Sequence, residues 1–214
     1  MKLAIIPCKP LARAKQRLAD VLSADERRAL VLAMLGDVVR AARVLDEVWV
    51  LCSDEESAAV AIRAGAKAHI DTVPDEGLNA SLALATADAV TAGAHGTLII
   101  SSDCPAVESS DIKALAVGTG VLIAPDRYGR GTNAIWRAPA DAMPTYFGER
   151  SRRAHESYAR GNNISCAVMP LPRIALDVDR APDLSAILRL LGPNSATGTL
   201  LGALGYPARE RTGR

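Results

Sequence analysis

Short apolar runs with no polar alternation recur along the first 125 residues, each followed by a segment long enough for a helix. The runs are Leu3–Ile6, Val48–Cys52, Ala68–Ile70, Thr97–Ser101 and Val121–Ala124. A strand that is apolar at every position has to be covered on both faces, which is the situation inside a parallel sheet held between two helix layers. Strand, helix, strand in that order builds right-handed βαβ units. The expected fold class is therefore α/β, with three layers (α/β/α) around a mostly parallel sheet.

The intervening segments carry helix punctuation. Ser23 with Glu26 three residues on is a capping box and predicts a helix over Ala24 to Leu45. Ser53 with Glu56 repeats the pattern before a helix that stops at Gly65. Pro74 to Gly77 reads as a loop, Leu78 to Ala92 as a helix stopping at Gly93, and Asp111–Val117 as a short helix. Beyond Asn133–Trp136 the alternation loosens. Ser151–Arg160 reads as helix, Cys166–Met169 and Ile174–Leu176 as strands, and Ala181–Leu191 as helix. No repeat and no Ser/Gly-rich linker divides the chain, so residues 1–207 are read as one domain and 208–214 as a short charged tail.

Composition narrows the function classes. Apolar residues make up 49% and aromatics only 3%, so a core of Ala, Leu, Val and Ile is expected and disorder is not. A formal net charge of +1 supplies no global field for nucleic acid or an anionic membrane, so any anion site must be local. The N-terminal apolar run ends at Pro7, too short for a secretion signal, and no stretch approaches the ~20 apolar residues of a membrane span. Cys8, Cys52, Cys104 and Cys166 form no CxxC pair and read as reduced. A cytoplasmic protein is expected; a homodimer stays open.

Ligands of open parallel sheets bind beyond the carboxyl ends of the strands, and four segments there are unusual. Lys9, Arg13, Lys15 and Arg17 place four cations within nine residues after the first strand. That suits a polyphosphate, although a solvated basic loop is the competing reading. Asp103, in Ser101-Ser102-Asp103-Cys104-Pro105, ends the strongest strand, where a carboxylate can bind Mg²⁺ or simply turn the chain. Pro125 to Asn133 contains Gly129, Gly131 and Thr132, a loop able to present backbone N–H groups to an anion. Asp177 and Asp179 lie two apart in an extended segment, so both project to one face. Alone, Asp179 reads as well as a helix cap. Jointly the set is the equipment of nucleotidyl transfer: carboxylates for metal, cations for triphosphate, glycine loops for substrate. The three histidines show no ligand spacing.

Six ordered motifs resemble one family. They are IIPCKPLARAKQRL from Ile5, GLNASL from Gly77, SSDCP from Ser101, APDRYGRGTNAI from Ala124, FGERSRRAH from Phe147 and LDVDRAPDL from Leu176. Across nearly the whole chain they resemble the guanylyltransferases of deazaflavin coenzyme F-420 biosynthesis, relatives of the molybdenum-cofactor (MobA-like) nucleotidyltransferases. The resemblance implies a Rossmann-like nucleotide-diphospho-sugar transferase fold. It also implies transfer of GMP from GTP to 2-phospho-L-lactate, phosphoenolpyruvate or 3-phospho-D-glycerate, with pyrophosphate released. Carried onto matching positions, Asp103, Asp177 and Asp179 would chelate Mg²⁺. Lys9, Lys15 and Arg17 would lie along the nucleotide phosphates, Gly77 and Asn79 near the guanine, and Thr132, Gly148 and Ser151 would hold the acid. A downstream deazaflavin transferase is the implied partner. The chain departs from the family at Ser102 and Cys104, where an alanine-like residue and a leucine are common. A relative using CTP or another acceptor, and a non-catalytic nucleotide-binding domain, are the competing readings; the intact carboxylate set favours catalysis.

Overall fold

The computed structural model describes residues 1–11 and 15–206. Arg13 of the basic loop and the charged tail 208–214 lie outside the described residues. The strands are β1 (Lys2–Pro7), β2 (Glu47–Cys52), β3 (Lys67–Ile70), β4 (Gly96–Ile100), β5 (Gly120–Pro125), β6 (Thr132–Ala138) and β7 (Cys166–Val168). They form one sheet in the order β3-β2-β1-β4-β6-β5-β7. All neighbours pair in parallel except β6, which runs antiparallel to both β4 and β5.

The helices are α1 (Ala24–Ala42), α2 (Glu55–Ala64), α3 (Leu78–Thr91), α4 (Ser109–Leu115), α5 (Ser151–Gly161), α6 (Pro172–Ala175), α7 (Ala181–Leu188) and α8 (Ala196–Ala203). Alternate residues of β1 feed different cores. Ala4 and Ile6 pack with Leu30 and Leu35 of α1 and Leu201 of α8 on one face. Leu3 and Ile5 pack with Leu82 and Ala85 of α3 on the other. The unbroken apolar runs thus mark a sheet covered on both sides, and the three-layer α/β/α fold is the one expected. No helix among the described residues is long and apolar enough to cross a membrane. The four cysteines are free, three of them buried.

Local signals held where the side chain had a backbone partner. Ser23 and Glu26 make the reciprocal capping box of α1, which stops at Ala42, three residues before the expected end. The cap of α2 is Asp54 rather than Ser53, because the Asp54 carboxylate reaches the Ser57 N–H at 2.8 Å. Ile174–Leu176, expected as a strand, is instead entered through the single helical turn of α6, with Pro172 pre-setting its first φ. Helix α8 falls in a stretch with no expected element, since Gly198 and Gly202 dilute its pattern. Its N-terminus is capped from α1: buried Asp37 accepts bonds from Ser195 Oγ, Ala196 N and Thr197 N at 2.8–2.9 Å.

The main topological correction is β6. Thr132 and Asn133, expected in a loop, open a fully buried strand, and that strand is the antiparallel member of the mostly parallel sheet. Its fit against β4 depends on Gly96. A Cβ there would lie 2.2 Å from the ring of Trp136, which is buried and donates its indole N–H to Gly118 O at 3.3 Å. Gly96→Ala should therefore cost about 1–3 kcal/mol, the scale of forced overpacking. Urea unfolding checks this; an unchanged midpoint would mean that the Trp136 ring is not locked against β4.

Candidate active site

The reversal of β6 brings chain segments of opposite direction to one edge of the sheet. β1 and β4 end at Pro7 and Ile100, while β6 begins at Thr132 beside them, tied by Ser101 N donating to Asn133 O at 2.8 Å. The Asp177–Asp179 segment is drawn to the same edge, with Val178 N donating to Asp103 O at 3.0 Å. Asp103, Asp177 and Asp179 consequently present carboxylate oxygens that lie within 4.8 Å of one another. Residues far apart in sequence become one cluster of hard oxygen donors, the type that Mg²⁺ and Mn²⁺ prefer.

Lys15 sits among them. Its ammonium donates to Asp103 Oδ2 at 2.6 Å and Asp179 Oδ1 at 2.7 Å, and its side chain is only 12% exposed. Burial works against the Lys15 charge, but the two carboxylates more than offset it and raise the Lys15 pKa. Burial would likewise raise Asp103, yet the Lys15 charge and the Ser101 hydroxyl, donating at 2.5 Å, hold it below the usual carboxylate range. Asp177 moves the other way: burial and repulsion from Asp103 raise it, and Asn133 Nδ2, at 3.3 Å, only partly compensates. Cys104 is buried next to Asp103, and desolvation, then the Asp103 charge, push its thiol pKa well above the ordinary value, which disfavours the reactive thiolate.

A cavity of about 540 Å³ opens in front of the carboxylates. Lys9, Lys15 and Arg17 line it, and so do Thr132, Gly148 and Ser151. Arg17 is 67% exposed and reaches Asp179 only at 3.6 Å, leaving it available to an incoming anion. The residues expected near the guanine, Gly77 and Asn79, are placed differently. Leu78 lines the cavity, whereas the Asn79 amide clamps the backbone of Phe147, donating to its O at 2.9 Å and accepting from its N at 2.8 Å. Gly77, at φ 91°, is the N-cap of α3 and is not among the lining residues.

Several positioning groups went unseen in the sequence. Buried Asp183, in the first turn of α7, accepts the N–H groups of Asp179 and Arg180 at 2.8 and 2.7 Å, and Arg127 donates to its other oxygen. An aspartate two residues after Ala181 was a legible helix-start signal, but nothing announced its grip on Asp179. Buried His155 accepts from Tyr146 N at its Nε2, 2.9 Å away. The proton therefore resides on Nδ1, which donates to Thr132 Oγ1 at 3.2 Å. Burial, then the nearby Arg137 charge, lowers the His155 pKa to about 4, so the ring is neutral at pH 7.

Comparison with known proteins shows the family and the fold. The profile of the family described as guanylyl transferase CofC like matches residues 1–212. A phosphoenolpyruvate guanylyltransferase of Sphaerobacter thermophilus is 36% identical over 191 residues, covering 86% of this chain and 91% of its own. One from Conexibacter woesei is 35% identical over 196 residues, covering 88% and 87%. Among solved structures, a Desulfovibrio desulfuricans G20 protein described as a nucleotide-diphospho-sugar transferase superposes with a TM-score of 0.74 at 16% identity, covering 98% of this chain and 97% of that one.

The His155 geometry fixes a pH dependence. Its pKa is about 4 in the folded chain and about 6.5 unfolded, so the unfolded state takes up a proton that the folded state refuses. This contribution is fully present above pH 6.5 and is lost as pH falls toward 4, amounting to about 3 kcal/mol. Between pH 7 and pH 4, wild-type protein should lose that much more unfolding free energy than His155→Gln. Parallel losses in denaturant titrations at the two pH values would contradict a neutral, buried ring.

Proposed function

The chain belongs to the CofC-like guanylyl transferase family, and on that premise we propose that it transfers GMP from GTP to a phosphorylated three-carbon acid. Phosphoenolpyruvate is the first candidate, since it is the acceptor in the names of the relatives; 2-phospho-L-lactate and 3-phospho-D-glycerate are the others. The product would feed coenzyme F-420 assembly through a downstream deazaflavin transferase. The observation that carries this reading is the carboxylate cluster in a cavity that is also lined by Lys9, Lys15 and Arg17 and by Thr132, Gly148 and Ser151.

The donor set fits a divalent ion. Three carboxylates converge within 4.8 Å, and Asp177 carries no cationic partner among the described residues. Asp103, Asp177 and Asp179 would hold Mg²⁺, which supplies charge neutralisation and Lewis acidity between two phosphates. Ser151 and Thr132, with the backbone at Gly148, would orient the acid. Lys9, Lys15 and Arg17 would neutralise the triphosphate and the charge growing on the leaving group. An oxygen of the acceptor phosphate forms the new bond to the α-phosphorus as the bond to the β-phosphate oxygen breaks, and pyrophosphate departs with that electron pair. No general base is required, because the attacking phosphate is already ionised.

Pyrophosphate release with Mg²⁺, GTP or CTP, and each acid in turn tests the proposal. The deazaflavin acceptor and its transferase run in parallel to trap an unstable product. Release is expected with GTP and one acid; silence from folded protein that binds GTP would leave only nucleotide binding. Asp103→Asn should lower kcat by roughly 100-fold or more, as removal of a principal electrostatic stabiliser does. Near-wild-type turnover by the folded variant would remove Asp103 from the metal site.

A further inference from the structure

Lys15 is more than one of several cations near the cavity. Its ammonium lies at hydrogen-bond distance from two of the three clustered carboxylates, 2.6 Å from Asp103 and 2.7 Å from Asp179. Those are oxygens that a divalent ion would take at about 2.1 Å. Two cations cannot share them without strong repulsion. The backbone also pays for this pose: Lys15 is held at φ 43°, ψ 50°, the left-handed region that a residue with a Cβ rarely adopts. Gln16–Leu18 begins a 3-10 turn directly after it, with Leu18 N donating to Lys15 O at 2.9 Å. Locally disfavoured backbone is therefore retained at the residue whose side chain bridges the cluster. The same side chain lines the cavity in front of the carboxylates, so a triphosphate bound there would offer it new oxygens within reach of its flexible stem.

We propose that Lys15 is an internal stand-in for the divalent cation, holding the carboxylates together in the resting protein and yielding to the metal when nucleotide phosphates arrive to receive its ammonium. This rests on the reading of Asp103, Asp177 and Asp179 as a metal site. It makes metal and nucleotide binding mutually reinforcing. Metal alone has to displace Lys15 without giving it a partner, whereas metal with triphosphate exchanges one set of anionic contacts for another. Reciprocity then requires that the metal also tighten nucleotide binding. The resting site is thereby kept from scavenging divalent ions in the absence of substrate.

Mn²⁺ binding, read as free ion by electron paramagnetic resonance, tests this on full-length wild type, Lys15→Met and Lys15→Ala, each checked for native thermal unfolding. Without nucleotide, both variants should bind Mn²⁺ about tenfold or more tightly than wild type, within the usual range of a coupling between sites. With the non-hydrolysable analogue guanosine 5′-(α,β-methylene)triphosphate, wild-type Mn²⁺ affinity should rise steeply and that of the variants little. Mg²⁺ should also raise the Tm of Lys15→Met more than that of wild type. Equal Mn²⁺ affinities without nucleotide, including no detectable binding by any of the three, would overturn the proposal. Failure of the guanylyltransferase reading looks different: wild type would neither bind GTP nor release pyrophosphate with any acid, while the nucleotide-free comparison of Lys15 variants would still give its answer.

Discussion

Three carboxylates held with their oxygens inside 4.8 Å are a source of repulsion that the rest of this structure is arranged to contain. At an effective dielectric of about 20, each pair of unit charges at that distance repels by about 3 kcal/mol. The exposure of Asp179, 42%, softens its share. The fold answers with one buried ammonium, one hydroxyl and one amide rather than with full neutralisation. Lys15 takes Asp103 and Asp179, Ser101 takes Asp103, and Asp177 is left with Asn133. The remaining imbalance is what would suit the proposed site to a small, highly charged cation.

Holding such a cluster requires that its backbone be fixed by other means. Asp103 follows the central strand β4, whose side chains from Leu98 to Ile100 are fully buried. The Asp177–Asp179 segment has no strand of its own. It is fastened by Val178 to the Asp103 carbonyl, by Asn133 to the Ile174 carbonyl at 2.9 Å, and by Asp183 to the N–H of Asp179. Asp183 is in turn paired with Arg127 from the loop before β6. The loop before β6 and the Asp177–Asp179 segment are thus joined through the buried Asp183 carboxylate, so the two share a common frame.

Much of this was legible in the sequence, for identifiable reasons. A parallel strand buried on both faces writes itself as an unbroken apolar run, and Ala4–Ile6 split cleanly between two cores. Ser23 and Glu26 announced a helix because both halves of a capping box are local. Asp177 and Asp179 could be placed on one face from their spacing alone. The direction of β6 could not, because a buried antiparallel strand has the same composition as a parallel one. The reciprocal roles of Asp183, Arg127 and His155 were hidden for the same reason: each acts on a residue distant in sequence or through backbone N–H groups, and neither leaves a pattern in side-chain order. Asn79 shows the converse. Its motif was visible, but its amide is spent on the Phe147 backbone.

The proposed chemistry requires that Asp103, Asp177 and Asp179 form one divalent-cation site. Anomalous diffraction from crystals grown with Mn²⁺ and a non-hydrolysable GTP analogue addresses it most directly. The expected result is a manganese peak in contact with oxygens of all three aspartates and of the nucleotide phosphates. A peak elsewhere, with the three carboxylates still bridged as they are here, would contradict it.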